Sequence, residues 1–122
     1  MLVFSIRGAI TVDKDTKEDI FEATKELFKK IVELNDLNIE DIVCIIFSVT
    51  KDLKSAYPAE AIRQMGITYA SLMCLQEMFV ENSLSRCIRV LILVNGDKKQ
   101  NEVKNVYLKG AVNLRPEFSE GI

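Results

Sequence analysis

Arg86-Cys87-Ile88-Arg89-Val90-Leu91-Ile92-Leu93-Val94 reads as a buried strand, a β-branched and aliphatic run closed by Asn95-Gly96-Asp97. Side chains alternate along a strand, so Arg89 shares a face with Cys87, Leu91 and Leu93. A guanidinium keeps its proton, and a buried charge without a partner is strongly destabilising. Arg89 therefore calls for an anion, either a carboxylate elsewhere in the chain or a ligand. The residues alone leave both open, an internal carboxylate being the commoner outcome.

Around this strand the chain reads as β, α, β, short α, β, β, short α, β. Leu2 to Ile10 is a first strand, and Gly8 on it implies a bend or a close backbone approach. Thr16 caps a long helix that runs to about Asn35, with Ile20, Ala23, Leu27, Ile31 and Leu34 on its apolar stripe. Asn38 to Asp41 forms a single turn before a strand from Ile42 to Thr50. Pro58 opens a short helix over Ala59 to Met65, and Gly66 closes it in the left-handed region. A third strand spans Thr68 to Leu75, Asn101 caps a short helix carrying Val103 and Val106, and Val106 to Asn113 is a fifth strand. The expected fold is α+β (α/β-like), with one mixed sheet of about five strands packed on one face by the long helix. The other sheet face needs cover, and a closed oligomeric ring is the expected remedy.

The 122 residues suffice for one domain, 1–122, with about 116–122 as a C-terminal tail. At 48% hydrophobic and 28% charged, with a net charge of −2, the chain offers no electrostatic case for nucleic acid or an acidic membrane. Its longest apolar runs, such as Ile42 to Phe47, are too short to span a bilayer. Met1-Leu2-Val3-Phe4 lacks a basic n-region, so no secretory leader is expected. The cysteines, Cys44, Cys74 and Cys87, have no CxxC spacing and read as reduced thiols of a cytoplasmic protein.

The chain has no histidine, which removes Ser-His and Cys-His nucleophile pairs and the usual zinc ligand. Neither a GxGxxG nor a GxxxxGK[ST] phosphate loop is present. Lysine outnumbers arginine eleven to five, yet Arg7, Arg63, Arg86, Arg89 and Arg115 sit in or beside apolar stretches. Arginine suits a planar grip on carboxylates, which hints at a site for a small polyanion.

An ordered set of segments then resembles a known family: Ile6-Arg7-Gly8-Ala9 with Thr11-Val12, Ser48-Val49-Thr50-Lys51-Asp52-Leu53, Tyr57-Pro58-Ala59-Glu60-Ala61-Ile62-Arg63, Cys74-Leu75-Gln76-Glu77-Met78, Cys87-Ile88-Arg89-Val90, Val106-Tyr107-Leu108 and Leu114-Arg115-Pro116-Glu117. Spread over about residues 1 to 118, they resemble the AroH-class monofunctional chorismate mutases, small trimeric proteins of pseudo-α/β-barrel form. The resemblance implies a cytoplasmic isomerase that converts chorismate to prephenate by an intramolecular Claisen rearrangement, with no nucleophile, metal or cofactor. It implies that Arg89 faces the ether oxygen and one carboxylate, and that Glu77 holds the ring hydroxyl with Cys74 beside it. Arg7 and Tyr107 would hold the side-chain carboxylate. Tyr57, Ala59, Leu72 and Met73 would line the pocket from a neighbouring subunit. Arg63 and Arg115 would guard the ring carboxylate, with Leu114 among the binding residues and the tail closing as a lid.

The chain departs from the family pattern at Glu60, where lysine is common, at Met73 and Tyr57, and in a segment around Gly66 shorter by one residue. Cys74 and Glu77, three apart, should point oppositely on a regular strand, so meeting one ligand requires a bend at Leu75–Gln76. Arg86 matches no functional position and is expected at the wet end of its strand. Two other functions fit the same arginines: an imine-deaminase-like trimer, and a trimeric sensor of small dicarboxylates without catalysis. Glu77 argues against the sensor, since a pure dianion binder gains nothing from a carboxylate in its pocket.

Overall fold

A computed structural model describes residues 2–118. Its five strands are β1 (Val3–Thr11), β2 (Ile42–Val49), β3 (Ser71–Gln76), β4 (Cys87–Asn95) and β5 (Val106–Leu108), and its helices are α1 (Lys17–Asn35) and α2 (Pro58–Gln64). They form one mixed sheet in the order β3-β2-β4-β1-β5. The β1/β4 and β2/β4 pairs are antiparallel, while β1/β5 and β2/β3 are parallel. The opening stretch is thus the central strand, and its neighbours fix which way Arg89 points.

Helix α1 starts where the sequence marks it. Thr16 Oγ1 accepts the Asp19 N–H at 3.1 Å, and Asp36 ends the helix in the left-handed region at φ 49°. Ile20, Ala23, Leu27, Phe28 and Ile31 bury against Phe4, Ile6, Ile10, Ile88, Ile92 and Val94. Pro58 begins α2, Gly66 follows it at φ 85°, and Ala59 and Ile62 join the same core. Both helices therefore cover one face of the sheet.

Gly8 explains how closely these layers approach. A methyl group there would lie 2.8 Å from the Val106 carbonyl oxygen and 3.0 Å from Ile31 Cδ1. Gly8→Ala should destabilise the protein by about 1–3 kcal/mol, because a backbone oxygen cannot yield as a side chain does. Urea unfolding of the variant measures this loss.

Three sequence expectations need correction. β3 begins at Ser71, not Thr68, because β2 carries an irregularity between Ile42 and Cys44 and its ladder to β3 starts at Cys44–Ser71. β5 ends at Leu108, not Asn113. Its partner β1 stops at Thr11, Lys109 turns the chain at φ 52°, and Lys109–Asn113 winds into a 3₁₀ helix. Asn101 does not cap a helix; it lies inside the 3₁₀ turn Gln100–Glu102, where Lys99 N–H donates to Glu102 Oε1 at 2.9 Å. Val106 belongs to β5. A buried residue missed in the sequence, Asn35, ties this segment to α1: its side-chain amide bonds Lys104 N–H and C=O at 2.8 Å each.

Neither α1 nor α2 covers the second sheet face, where the 3₁₀ helix Lys109–Asn113 packs at one side. Cys87, Tyr107, Ala9 and Ala111 make a small buried cluster there, with Leu84 and Leu114 against it. Ile46, Leu91 and Leu93 are half-buried, and Met73 and Leu75 are 55% and 49% exposed. β4 is thus buried on one face only, whereas the sequence suggested a strand buried throughout.

Candidate active site

The uncovered face gathers most of the arginines picked out in the sequence. Register places Ser48 of β2, Arg89 of β4, Ala9 of β1 and Tyr107 of β5 in one row across the sheet. Ala9, between the guanidinium and the phenol in this row, is fully buried with Cys87, Tyr107 and Ala111. Arg7 stands opposite Leu91 in the next row, on the same face. Leu114 and Arg115, just past the 3₁₀ helix, complete a cleft of about 320 Å³ with Arg7, Ser48, Arg89 and Tyr107. Three guanidiniums, a hydroxyl and a phenol around an apolar floor of Ile46 and Leu91 suit a small molecule with two carboxylates.

Glu77 reaches this face from the chain just beyond β3. Its backbone N–H donates to Val49 C=O at 2.8 Å, one step past the last ladder pair. Its Oε1 accepts from Ser48 Oγ at 2.5 Å and lies 3.3 Å from Arg89 Nε. The ion pair is partly exposed, at 43% for Arg89 and 28% for Glu77, so it contributes little to stability by itself. It also runs through Nε to one oxygen and is not the forked, two-nitrogen pair typical of a structural Arg–Glu contact. Arg89 borders a second hollow of about 320 Å³ as well, under the 77–86 loop, where Lys51 Nζ sits 3.7 Å from the centroid of the Phe79 ring. The guanidinium therefore stands between two openings.

The entry of β4 is tied down from several sides. Arg86 N–H is shared between the two Asp52 carboxylate oxygens at 3.0 and 3.1 Å. Thr50 Oγ1 donates to Asp52 Oδ1 at 2.5 Å and accepts Cys87 N–H at 3.0 Å. Arg86, at φ 44°, donates from Nε to Val12 C=O at 3.0 Å. Arg86 does sit exposed at the entry of β4, as expected, and its hydrogen bonds also make it a structural tie there. Sequence reading quoted Ser48, Thr50 and Asp52 without giving them roles. The signal that could have found Ser48 was its spacing, two residues past Ile46 on the face that turns toward Arg89.

The remaining candidates lie elsewhere in the chain. Ala59 is buried on the inner side of α2, Tyr57 just before that helix is 67% exposed, and Arg63 is exposed on it. Leu72 and Cys74 pack toward the helix-covered core, while Met73 points to the open face two strands from β4. Because β3 stays regular through Gln76, Cys74 and Glu77 are not brought together within one chain. Glu60 lies 3.5 Å from Lys17 Nζ. Of the tail proposed as a lid, Pro116–Phe118 forms a 3₁₀ turn and residues 119–122 lie outside the described part.

Neither cysteine near these surfaces is primed as a nucleophile. Burial pushes the Cys87 thiol up to about 11, against the pull of Arg89 and with a further push from Glu77 and Asp52. Burial also raises Cys74, opposed by a hydrogen bond at the Ala59 backbone and by Arg63. The raised folded-state value of Cys87 gives a signed prediction. The stability it contributes is whole below the ordinary thiol value near 9 and is lost as pH climbs through about 11. Cys87→Ala should flatten the stability–pH curve across that window, as read by denaturant unfolding beside the parent protein.

Comparison with known proteins places these features in a family context. A family model described as chorismate mutase type I matches residues 3–118. The chorismate mutase AroH of Bacillus subtilis (strain 168) is 43% identical over 120 residues, which is 98% of this chain and 94% of that protein. The chorismate mutase AroH of Thermus thermophilus is 50% identical over 118 residues, 96% of this chain and 97% of that protein. A solved structure of a chorismate mutase from Clostridium thermocellum superposes with a TM-score of 0.85 at 50% identity, covering 88% of this chain and 96% of that one.

Proposed function

The chain belongs to the chorismate mutase type I family and is an isomerase of that activity, and from this premise we propose that the open-face cleft around Arg89 is where chorismate rearranges to prephenate. The single observation that carries the assignment is the row of Arg89 and Tyr107 with Arg7 beside it, facing a cleft that also holds Arg115. Chorismate carries two carboxylates and breaks its ether bond ahead of carbon–carbon bond formation, so negative charge grows on the ether oxygen. Arg89 meets that charge. A fixed cation there binds the transition state more tightly than the substrate, which is what accelerates the step. Arg7 and Tyr107 take the side-chain carboxylate and hold the enolpyruvyl arm over the ring, removing much of the entropic barrier. Glu77 accepts from the ring hydroxyl and balances positive character developing on the ring. No proton needs to leave or arrive, and no cofactor is called for.

One chain supplies part of this pocket. Arg7, Glu77, Arg89, Tyr107, Leu114 and Arg115 lie on the open face, whereas Tyr57, Ala59, Arg63, Leu72 and Cys74 lie around α2 and the outer strand β3. A ring of three copies brings the outer edge of one chain over the open face of the next and covers the apolar surface of Ile46, Leu91, Leu93 and Met73. Cys74 then joins the pocket from the adjoining subunit, with Arg63 near the ring carboxylate. We place this homotrimer in the cytoplasm, within aromatic amino-acid biosynthesis, and treat residues 1–122 as one domain.

The test is direct: purified protein is mixed with chorismate and the loss of chorismate absorbance is followed. A rate well above the spontaneous one, with prephenate as the product, is the expected result. A rate no faster than the spontaneous reaction, with chorismate still bound, would leave a dicarboxylate-binding protein instead.

A further inference from the structure

Ser48 is the polar side chain in this region that the reaction scheme leaves unused. Its hydroxyl can donate one hydrogen bond, and it gives that bond to Glu77 Oε1 at 2.5 Å. The same oxygen stands 3.3 Å from Arg89 Nε. Ser48 is also the direct register partner of Arg89 across the β2/β4 ladder. The carboxylate is thus held by two anchors on neighbouring strands, one neutral and one charged.

The setting makes the neutral anchor matter. Glu77 follows the end of β3, where the β2/β3 ladder has finished at Gln76, and it leads into the 77–86 loop. Only its backbone N–H to Val49 C=O fixes the residue locally. With two rotatable bonds before the carboxyl, that side chain has several ways to approach a guanidinium. Paired with Arg89 alone, it could swing to a forked contact on the two terminal nitrogens, the arrangement such pairs favour. That contact would occupy the face of Arg89 needed for the ether oxygen. Ser48 pulls Oε1 toward β2, where the observed approach is through Nε.

Resting on the reading of Glu77 and Arg89 as the reacting pair, we propose that Ser48 is a positioning residue whose hydroxyl holds Glu77 at the Nε side of Arg89, keeping the terminal guanidinium nitrogens available to the substrate. The entry of β4 supports this, because Asp52 and Thr50 fix Arg86 and Cys87 and so fix the backbone that carries Arg89. With the arginine set by its strand, the angle between the two charges depends on the carboxylate, and Ser48 sets it.

Steady-state kinetics on chorismate with Ser48→Ala, Ser48→Thr, Glu77→Gln and the Ser48→Ala/Glu77→Gln double variant tests this. Ser48→Ala should lower kcat roughly tenfold, the scale of one hydrogen bond to a charged group, with KM nearly unchanged. Ser48→Thr keeps the hydroxyl on a residue well suited to a strand and should restore most of the rate. The double variant should be no slower than Glu77→Gln alone, because the hydroxyl acts only through the carboxylate. Additive losses in the double variant, a change in KM alone, or a Ser48→Thr variant as slow as Ser48→Ala would overturn the positioning role. A Glu77→Gln variant with parental kcat would instead sink the reading of Glu77 itself, so the two failures are separable. Melting temperatures of all four proteins show whether any loss reflects unfolding.

Discussion

Arg89→Ala should lower kcat roughly 10²–10³-fold while the protein keeps its fold, the loss expected when one preorganised donor at a developing oxyanion is removed. The structure separates these two effects. Arg89 lies on the uncovered face, is 43% exposed, and shares with Glu77 an ion pair of little net stabilising value. The core that holds β4 lies on the other side of the strand, through Ile88, Val90, Ile92 and Val94. Circular dichroism and melting should therefore change little as the rate collapses. Arg89→Lys keeps the charge but loses the planar fork and should recover only part of the rate. If Arg89→Ala unfolds the protein instead, the Arg89–Glu77 pair is a structural tie and the site must be sought elsewhere.

Leu93→Asp should abolish activity by a different route. Leu93 lies on the uncovered face opposite Ser5, one row beyond Arg7 and two beyond Arg89. In a single chain it is half-buried, so an aspartate there can stay hydrated and the sheet can form. In the proposed ring that surface is dry, and each subunit would bury an unpaired carboxylate at a cost of several kcal/mol. The expected product is a folded monomer with rates near background, as read by light scattering and the chorismate assay together. A variant that stays trimeric, or a monomer that retains full activity, would show that the open face is not what joins the copies.

Much of this was legible in the chain. Thr16 and the Ile20-Ala23-Leu27-Ile31 stripe define α1 because capping and a 3.6-residue period are local properties. The alternation in β4 correctly put Arg89 with Cys87, Leu91 and Leu93, since strand geometry allows no other face. Gly8 signalled close approach, and Val106 C=O supplies it. Less legible were features set by partners distant in sequence. Residues 109–113 follow directly on the strand-forming Val106-Tyr107-Leu108 and read as its continuation, yet β1 ends too soon to pair with them. Asn35 reads as an ordinary helix end, and only the arrival of Lys104 makes it a buried staple. The split of the candidate site between the open face and the surroundings of α2 was written in the family resemblance and not in any local pattern. Arg86 illustrates the same limit, because its left-handed backbone and its bond to Val12 depend on a segment at the other end of the sheet's first strand.

The strand order has a consequence for how the molecule is made. β3 and β4 are consecutive in the chain, and the 77–86 loop between them could close a hairpin quickly. The native sheet does not pair them, for β2 lies between. Glu77 and Arg89, only a dozen positions apart, thus meet across a strand that was synthesised before either of them. A nascent β3–β4 hairpin, if it forms, would compete with β2 for β4 and would have to open before β2 takes the middle place. Refolding should show that competition as a slow phase, and recovery of the Arg89 site should follow it and not the faster formation of α1.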